Sequence, residues 1–238
     1  MYLRHILNNI HFFAGMLLLN IDTAIDKGSF CISRNDEVIA FEVTESRNEQ
    51  AGWLHQAIHN AFKQNDLDFH QLDAVAVSNG PGSYTGLRIG LSTAKGLCYA
   101  LNKPLICINT LQIIAAAVEL QAKRYICPMI DARRMEVFTA LFDKNLTLIK
   151  EPFATILNEE SFSDILKEDH IIFTGNGSEK FRSLIKDNVN AEIVENNIDA
   201  RNMIALSLKY YQKKISQMLH IVNHITLKMY IYLKKKYK

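Results

Sequence analysis

Apolar and polar positions fall along this chain in patterns that assign most of its elements. Leu17–Asp22, Ser29–Ser33 and Val38–Val43 are short apolar runs separated by polar turns, and they read as three strands. From Gln50 to Gln64 the pairs Trp53/Leu54, Ala57/Ile58 and Ala61/Phe62 recur every four positions, which predicts one face of a helix. Asp73–Ser78 and Pro104–Asn109 are buried strands, Tyr84–Leu101 is the helix between them, and an alanine-rich helix follows. Strand–helix–strand with continuous apolar strands predicts a parallel layer covered on both faces. After Lys123 the order restarts. Strands are expected at Tyr125–Ile130 and Met135–Phe142, then a helix over Glu159–Lys167, a strand at Ile171–Thr174 and a helix over Ser178–Lys186; a last helix begins near Ala200. The recurrence predicts an α/β protein of two lobes, residues 16–115 and 116–215, with a hinge near 110–125.

Composition narrows the class. With 48% hydrophobic and 22% charged residues, the chain is expected to be globular and soluble rather than disordered. Cys31, Cys98, Cys107 and Cys127 stand alone in apolar stretches, as reduced structural thiols of a cytoplasmic protein do. No apolar run has membrane-spanning length, and His5, Asn8, Asn9 and His11 interrupt the opening segment, which argues against a secretory signal. The net charge of +2 hides an asymmetry: residues 201–238 hold nine Lys/Arg and no Asp/Glu, while the first 200 hold 18 basic and 25 acidic residues. By charge alone, that tail reads as a nucleic-acid arm.

The stretch N-G-P-G-S-Y-T-G, residues 79–86, joins a strand to a helix through glycines. It is neither the dinucleotide G-x-G-x-x-G, because Thr85 fills the third position, nor a Walker loop, which needs G-K-[ST]. Two readings stay open: a phosphate held at the helix N-terminus, or a tight turn with Ser83 as N-cap. In the helix beyond, Gly86, Gly90 and Ala94 lie four apart. Each glycine costs about 1 kcal/mol relative to alanine in a helix interior, so this smooth ridge predicts a close helix contact, within the chain or with a partner. Arg88, Ser92, Lys95 and Tyr99 form a polar stripe beside it, which is a solvated or a docking face. His55 and His59 have helical H-x-x-x-H spacing but no carboxylate at i±3 or i±4 to complete a metal site, and they read as helix surface.

N-G-P-G-S-Y-T-G-L-R-I-G-L-S-T-A-K-G-L followed by K-P-L-I-C-I-N-T-L resembles the TsaB (YeaZ) family, subunits of tRNA threonylcarbamoyladenosine biosynthesis. N-I-D-T-A at 20–24, I-D-A-R-R-M-E-V-F at 130–138 and F-T-G-N-G-S-E-K-F at 173–181 agree, so the resemblance spans about residues 16–213. It implies the actin-like ATPase (ribonuclease H-like) fold, with two duplicated lobes of mixed sheets flanked by helices. It also implies a noncatalytic relative of TsaD, the subunit that threonylcarbamoylates N6 of adenosine 37 in tRNAs reading ANN codons. TsaD holds a metal with N-H-x-x-x-H; Thr110 and Ile114 stand at the two ligand positions here, and neither can replace an imidazole. No metal site and no catalytic residue are therefore expected.

The resemblance further implies a heterodimer with TsaD, or a homodimer, through the helices at 50–64 and 84–101. The candidate partner contacts are Trp53, Ala57, Gly86, Arg88, Gly90, Ala94 and Lys95. The ATP-dependent TsaE is a further implied partner, with tRNA reached through the complex and no membrane involved. Candidates for nucleotide contact are Asp22, Thr23, Gly80, Gly82 and Ser83. No cofactor of the chain's own is expected; ATP or ADP would enter in the assembled complex. The alternative class is an enzyme acting alone, an actin-fold ATP-dependent transferase or a metallopeptidase-like protein. Two ends depart from the family. Residues 1–15 read as an extension ahead of the first strand, or as a short N-terminal arm. The family closes with a pattern like A-Y-x-E-P-x-Y-L-K. A one-base shift of plausible codons from Gln217 onward spells D-V-A-Y-C-E-P-Y-Y-L-K-N. The atypical basic tail at 216–238 is therefore expected to be an out-of-frame reading, which resequencing would test, and its charge is weak support for tRNA binding.

Overall fold

In the computed structural model, which describes residues 15–44, 46, 49–118, 125–185 and 188–213, every residue of β1 (Leu17–Asp22) is buried. β1 is central in a five-stranded sheet. β2 (Ser29–Arg34) pairs antiparallel with it, followed by β3 (Glu37–Val43). On its other side β4 (Ala74–Ser78) and then β5 (Leu105–Ile108) run parallel. Successive side chains of a strand point to opposite faces. Leu17, Leu19, Ile21, Phe30, Ile32, Val75 and Val77 thus share one face, and they form a core with Leu54, Ile58 and Phe62 of α1 (Gln50–Gln64) and Leu91 and Ala94 of α2 (Tyr84–Leu101). The opposite face carries Asn20, Asp22, Ser29, Ser33 and Ser78, all buried.

A second sheet repeats the plan. After α3 (Thr110–Ala116) come the antiparallel strands β6 (Tyr125–Asp131), β7 (Glu136–Phe142) and β8 (Leu148–Ile156). The single-turn helix α4 (Ser163–Leu166), β9 (Ile171–Thr174), the single-turn helix α5 (Glu179–Arg182) and β10 (Ala191–Val194) follow. Its strand order, β8-β7-β6-β9-β10, matches β3-β2-β1-β4-β5 of the first sheet position for position, and β9 and β10 again run parallel. Phe162, Phe173 and Phe181 meet edge to face in its core, with centroids 5.0 to 5.7 Å apart.

The described residues form two compact units, 15–108 with 199–213, and 109–198. This corrects the expected division at residue 115, and it reassigns the last helix. Asp199 caps the 3-10 turn Ala200–Met203, and α6 (Ile204–Gln212) follows. These residues return to the first unit because Ala200, Met203 and Leu206 are apolar, and the second face of the first sheet carries Leu18, Cys31, Ala74 and Ala76 between its polar side chains. The Ala200 N–H donates to Ser29 Oγ at 3.0 Å, and α6 packs on β1 and β5. The helices expected over Glu159–Lys167 and Ser178–Lys186 shrink to one turn each. Strands β8 and β10 were not predicted, because as half-exposed edges they carry no clean alternation. Residues 1–14, 119–124 and 214–238, which include the N-terminal extension, part of the expected hinge and nearly all of the basic tail, lie outside the described residues.

Candidate functional site

The glycine turn after β4 places the expected nucleotide residues together, and the chain uses their polar groups itself. Ser83 is the N-cap of α2: its Oγ accepts the Gly86 N–H at 3.2 Å. Its own N–H donates to the Ala24 carbonyl at 2.7 Å. A Cβ on Gly82 would run into that same carbonyl oxygen, and one on Gly86 into the Thr23 carbonyl oxygen. The Thr23 hydroxyl donates to the Gly86 carbonyl at 2.7 Å and lies against Gly90. Asp22, only 2% exposed, accepts the Ala24 N–H at 3.0 Å. Burial pushes its carboxyl above the usual carboxylate range; the hydrogen bond from Ala24 opposes this and the nearby Asp199 carboxylate adds to it. A phosphate brought to this turn would meet the Ala24 oxygen and a poorly ionising acid. Donors aimed at open space are what an anion needs, and the Ser83 and Gly86 N–H groups are committed to the chain. Two of the turn's N–H groups are thus taken up by the chain itself.

The same contacts correct the partner assignment. Gly86, Gly90 and Ala94 face the sheet and are buried, because the Thr23–Ala24 turn can approach α2 closely only where side chains are missing. Ala57 is buried too, and Trp53 is half-buried against Phe30, with centroids 5.8 Å apart. Of the seven predicted contacts, Arg88 is exposed, reaching the Tyr84 hydroxyl at 3.4 Å, and Lys95 is half-buried.

The outer face of α1 and α2 holds different residues. Gly52 of α1 and Gly96 of α2 are exposed, and a Cβ on either would meet nothing within 4 Å. They surround a surface of His55, His59, Arg88, Ser92 and Tyr99, the last 81% exposed. Thr93 Oγ1 lies 3.4 Å from His55 Nε2 and links the two helices. The sequence reading passed over Gly52 and Gly96. The signal was available, since Gly96 is a helix-interior glycine and Gly52 stands in the first turn of α1; what was lacking was the side each one faces.

Other candidate chemistry is not assembled. Thr110 and Ile114 are fully buried in α3, which Asn109 caps by accepting the Leu111 N–H at 2.8 Å. Among the described residues no three His, Cys, Asp or Glu side chains are grouped as metal ligands. Burial pushes the thiols of Cys31, Cys98 and Cys127 up to about 12 and that of Cys107 to about 11, so none is a thiolate nucleophile at neutral pH. Among the described residues no helix is long and apolar enough to cross a membrane.

The model of the TsaD family, tRNA N6-adenosine threonylcarbamoyltransferase, matches residues 44–235. The chain belongs to this family, in its TsaB (YeaZ) group. The TsaB protein of Bacillus subtilis is 29% identical over 175 residues, covering 72% of this chain and 76% of that protein. The tRNA N6-adenosine threonylcarbamoyltransferase of Syntrophomonas wolfei is 34% identical over 111 residues, 40% of this chain but only 33% of that enzyme. The structure of YeaZ from Pseudomonas aeruginosa superposes with a TM-score of 0.73 at 19% identity, over 87% of this chain and 97% of that one. The likeness shows the fold, the actin-like ATPase architecture expected for a TsaB-group chain.

Proposed function

We propose that this chain is a noncatalytic subunit of a tRNA-modifying assembly. In this reading it pairs with a TsaD-type transferase through the outer face of α1 and α2, and it activates the transferase for threonylcarbamoylation of N6 of adenosine 37 in tRNAs reading ANN codons. The observation that carries the pairing is the outward placement of Gly52 and Gly96. A solvated helix face gains nothing from glycine, which in a helix interior, as at Gly96, costs about 1 kcal/mol against alanine; a second helix packed at close range does gain. Family membership supports the assembly and the reaction. TsaE is the proposed ATP-dependent component, a homodimer through the same face is the competing state, and tRNA is met through the complex in the cytoplasm. ATP or ADP belongs to the assembled complex, since the glycine turn of this chain is closed by its own Ala24 carbonyl.

The test is co-purification with TsaD from the same organism, followed by tRNA modification with and without this chain. Gly52→Leu and Gly96→Leu are expected to leave the isolated chain folded while weakening the association at least tenfold. Association that survives both substitutions would overturn the face. Threonylcarbamoyl transfer, ATP turnover or peptidase activity by the isolated chain would overturn the noncatalytic reading.

A further inference from the structure

The two helices that carry the outer face contain no acid. Gln50–Gln64 and Tyr84–Leu101 have Lys63, Arg88 and Lys95 as their charged residues, with His55 and His59 beside them, and neither holds an Asp or Glu. The unit they belong to has eleven Asp/Glu in residues 15–108 and 199–213, and all eleven lie elsewhere. Glu49 and Asp66 are the nearest in sequence, outside the two ends of α1. Helix propensity does not explain this. Glutamate is a good helix former, and the helix dipole favours a carboxylate in the first turn, yet the first turns of α1 and α2 hold none. Room does not explain it either, since Ala51, Gln56, Thr85, Ser92 and Ala100 are all exposed.

The basic charge stands among residues suited to contact. The Arg88 guanidinium lies over the Tyr84 ring, 5.4 Å from its centroid, and is bonded to the ring's hydroxyl. The ring orders this side chain and leaves its charge intact. Ser92, Gly96 and the exposed Tyr99 continue the same stripe of α2. Arginine and tyrosine are enriched, and acids depleted, where proteins meet. Charge then separates the two occupants that such a face can take. A second copy related by a two-fold axis sets acid-free helices against acid-free helices, so like charges oppose. A surface with carboxylates opposite Arg88 meets no such cost. RNA is anionic too, but binding to its phosphates draws on many cations at once, and α1 and α2 supply three.

We propose that the charge of this face selects its occupant, a transferase surface that presents carboxylates to Arg88, in preference to a second copy of this chain. This rests on the pairing reading above. The test follows wild type, Arg88→Glu and Ser92→Glu in two associations, with purified TsaD from the same organism and with themselves, and thermal melting checks that the variants fold. Wild type is expected to bind TsaD at least tenfold more weakly at about 500 mM than at about 50 mM salt, and to self-associate no less well as salt rises. Each variant is expected to lose at least tenfold in TsaD binding and to gain at least threefold in self-association, because each copy then offers an acid to the other's cations. Loss of a merely steric contact would weaken both associations together, and that result overturns the proposal. Retention of wild type on tRNA alone, lost in both variants, would make the partner RNA and overturns it too. If wild type binds TsaD at no salt concentration, the pairing reading falls and this inference with it. If wild type binds TsaD and that binding ignores salt and both substitutions, this inference alone falls.

Discussion

Thr23 explains the glycines of α2. Its carbonyl oxygen sits where a Cβ of Gly86 would be, its Oγ1 against Gly90, and its hydroxyl is bonded to the Gly86 carbonyl. Gly86→Ala is expected to destabilise the chain by about 1–3 kcal/mol, since backbone must move to admit the methyl. Gly96→Ala should do the opposite and stabilise by up to about 1 kcal/mol, because nothing stands near that Cβ. Urea unfolding of the two variants reads both signs, and like signs would refute the assignment of faces. Asp22 gives a pH test. Its carboxyl is held above the range it has in the unfolded chain, so the folded state keeps this proton where the unfolded state releases it. The group's contribution is complete below about pH 4 and declines as pH rises toward the folded-state value. Asp22→Asn keeps an acceptor for the Ala24 N–H and removes the titration. The variant should be more stable than wild type at neutral pH, with the difference shrinking in acid; a difference independent of pH would refute the assignment.

At the level of elements, legibility in the sequence followed burial, except for the half-exposed edge strand β3, which was read from its apolar run Val38–Val43. β1, β2, β4, β5, β6 and β9 are buried strands, and their apolar runs announced them within a residue or two. α1 and α2 were readable because one face of each is apolar. β8 was not, since Lys150, Glu151 and Pro152 interrupt it and its first five residues are exposed. The site was readable only in part. Small residues on α2 signal close packing, but their spacing carries no direction; Gly86, Gly90 and Gly96 share one helix and face opposite ways. The glycine turn likewise has the composition of a phosphate loop. What closes it is the carbonyl of Ala24, nearly sixty residues upstream, and no local pattern reports that contact.

For the molecule as a whole, a second α/β lobe was foreseen from the recurrence of elements, whereas the matching strand order of the two sheets and the second crossing at Ile198/Asp199 were not. The crossing depends on a tertiary match between apolar residues of the return segment and a sheet face where Leu18, Cys31, Ala74 and Ala76 lie among Asn20, Ser29, Ser33 and Ser78. A chain ended after Ile198 is expected to bind a hydrophobic dye and to lose cooperative melting of its first unit, while residues 109–198, contiguous and with their own core, melt cooperatively alone. A non-cooperative transition for 109–198 would contradict this.

That return segment also sets an order on biosynthesis. The unit begun first on the ribosome is the one finished last, because Ala200, Met203 and Leu206 emerge only after the entire second unit has been made. At about 5–20 residues per second, a nascent chain exposes one uncovered face of its first sheet for several seconds. Anything that alters the reading of the message just beyond that segment therefore acts on the protein at the moment its earliest unit is being sealed.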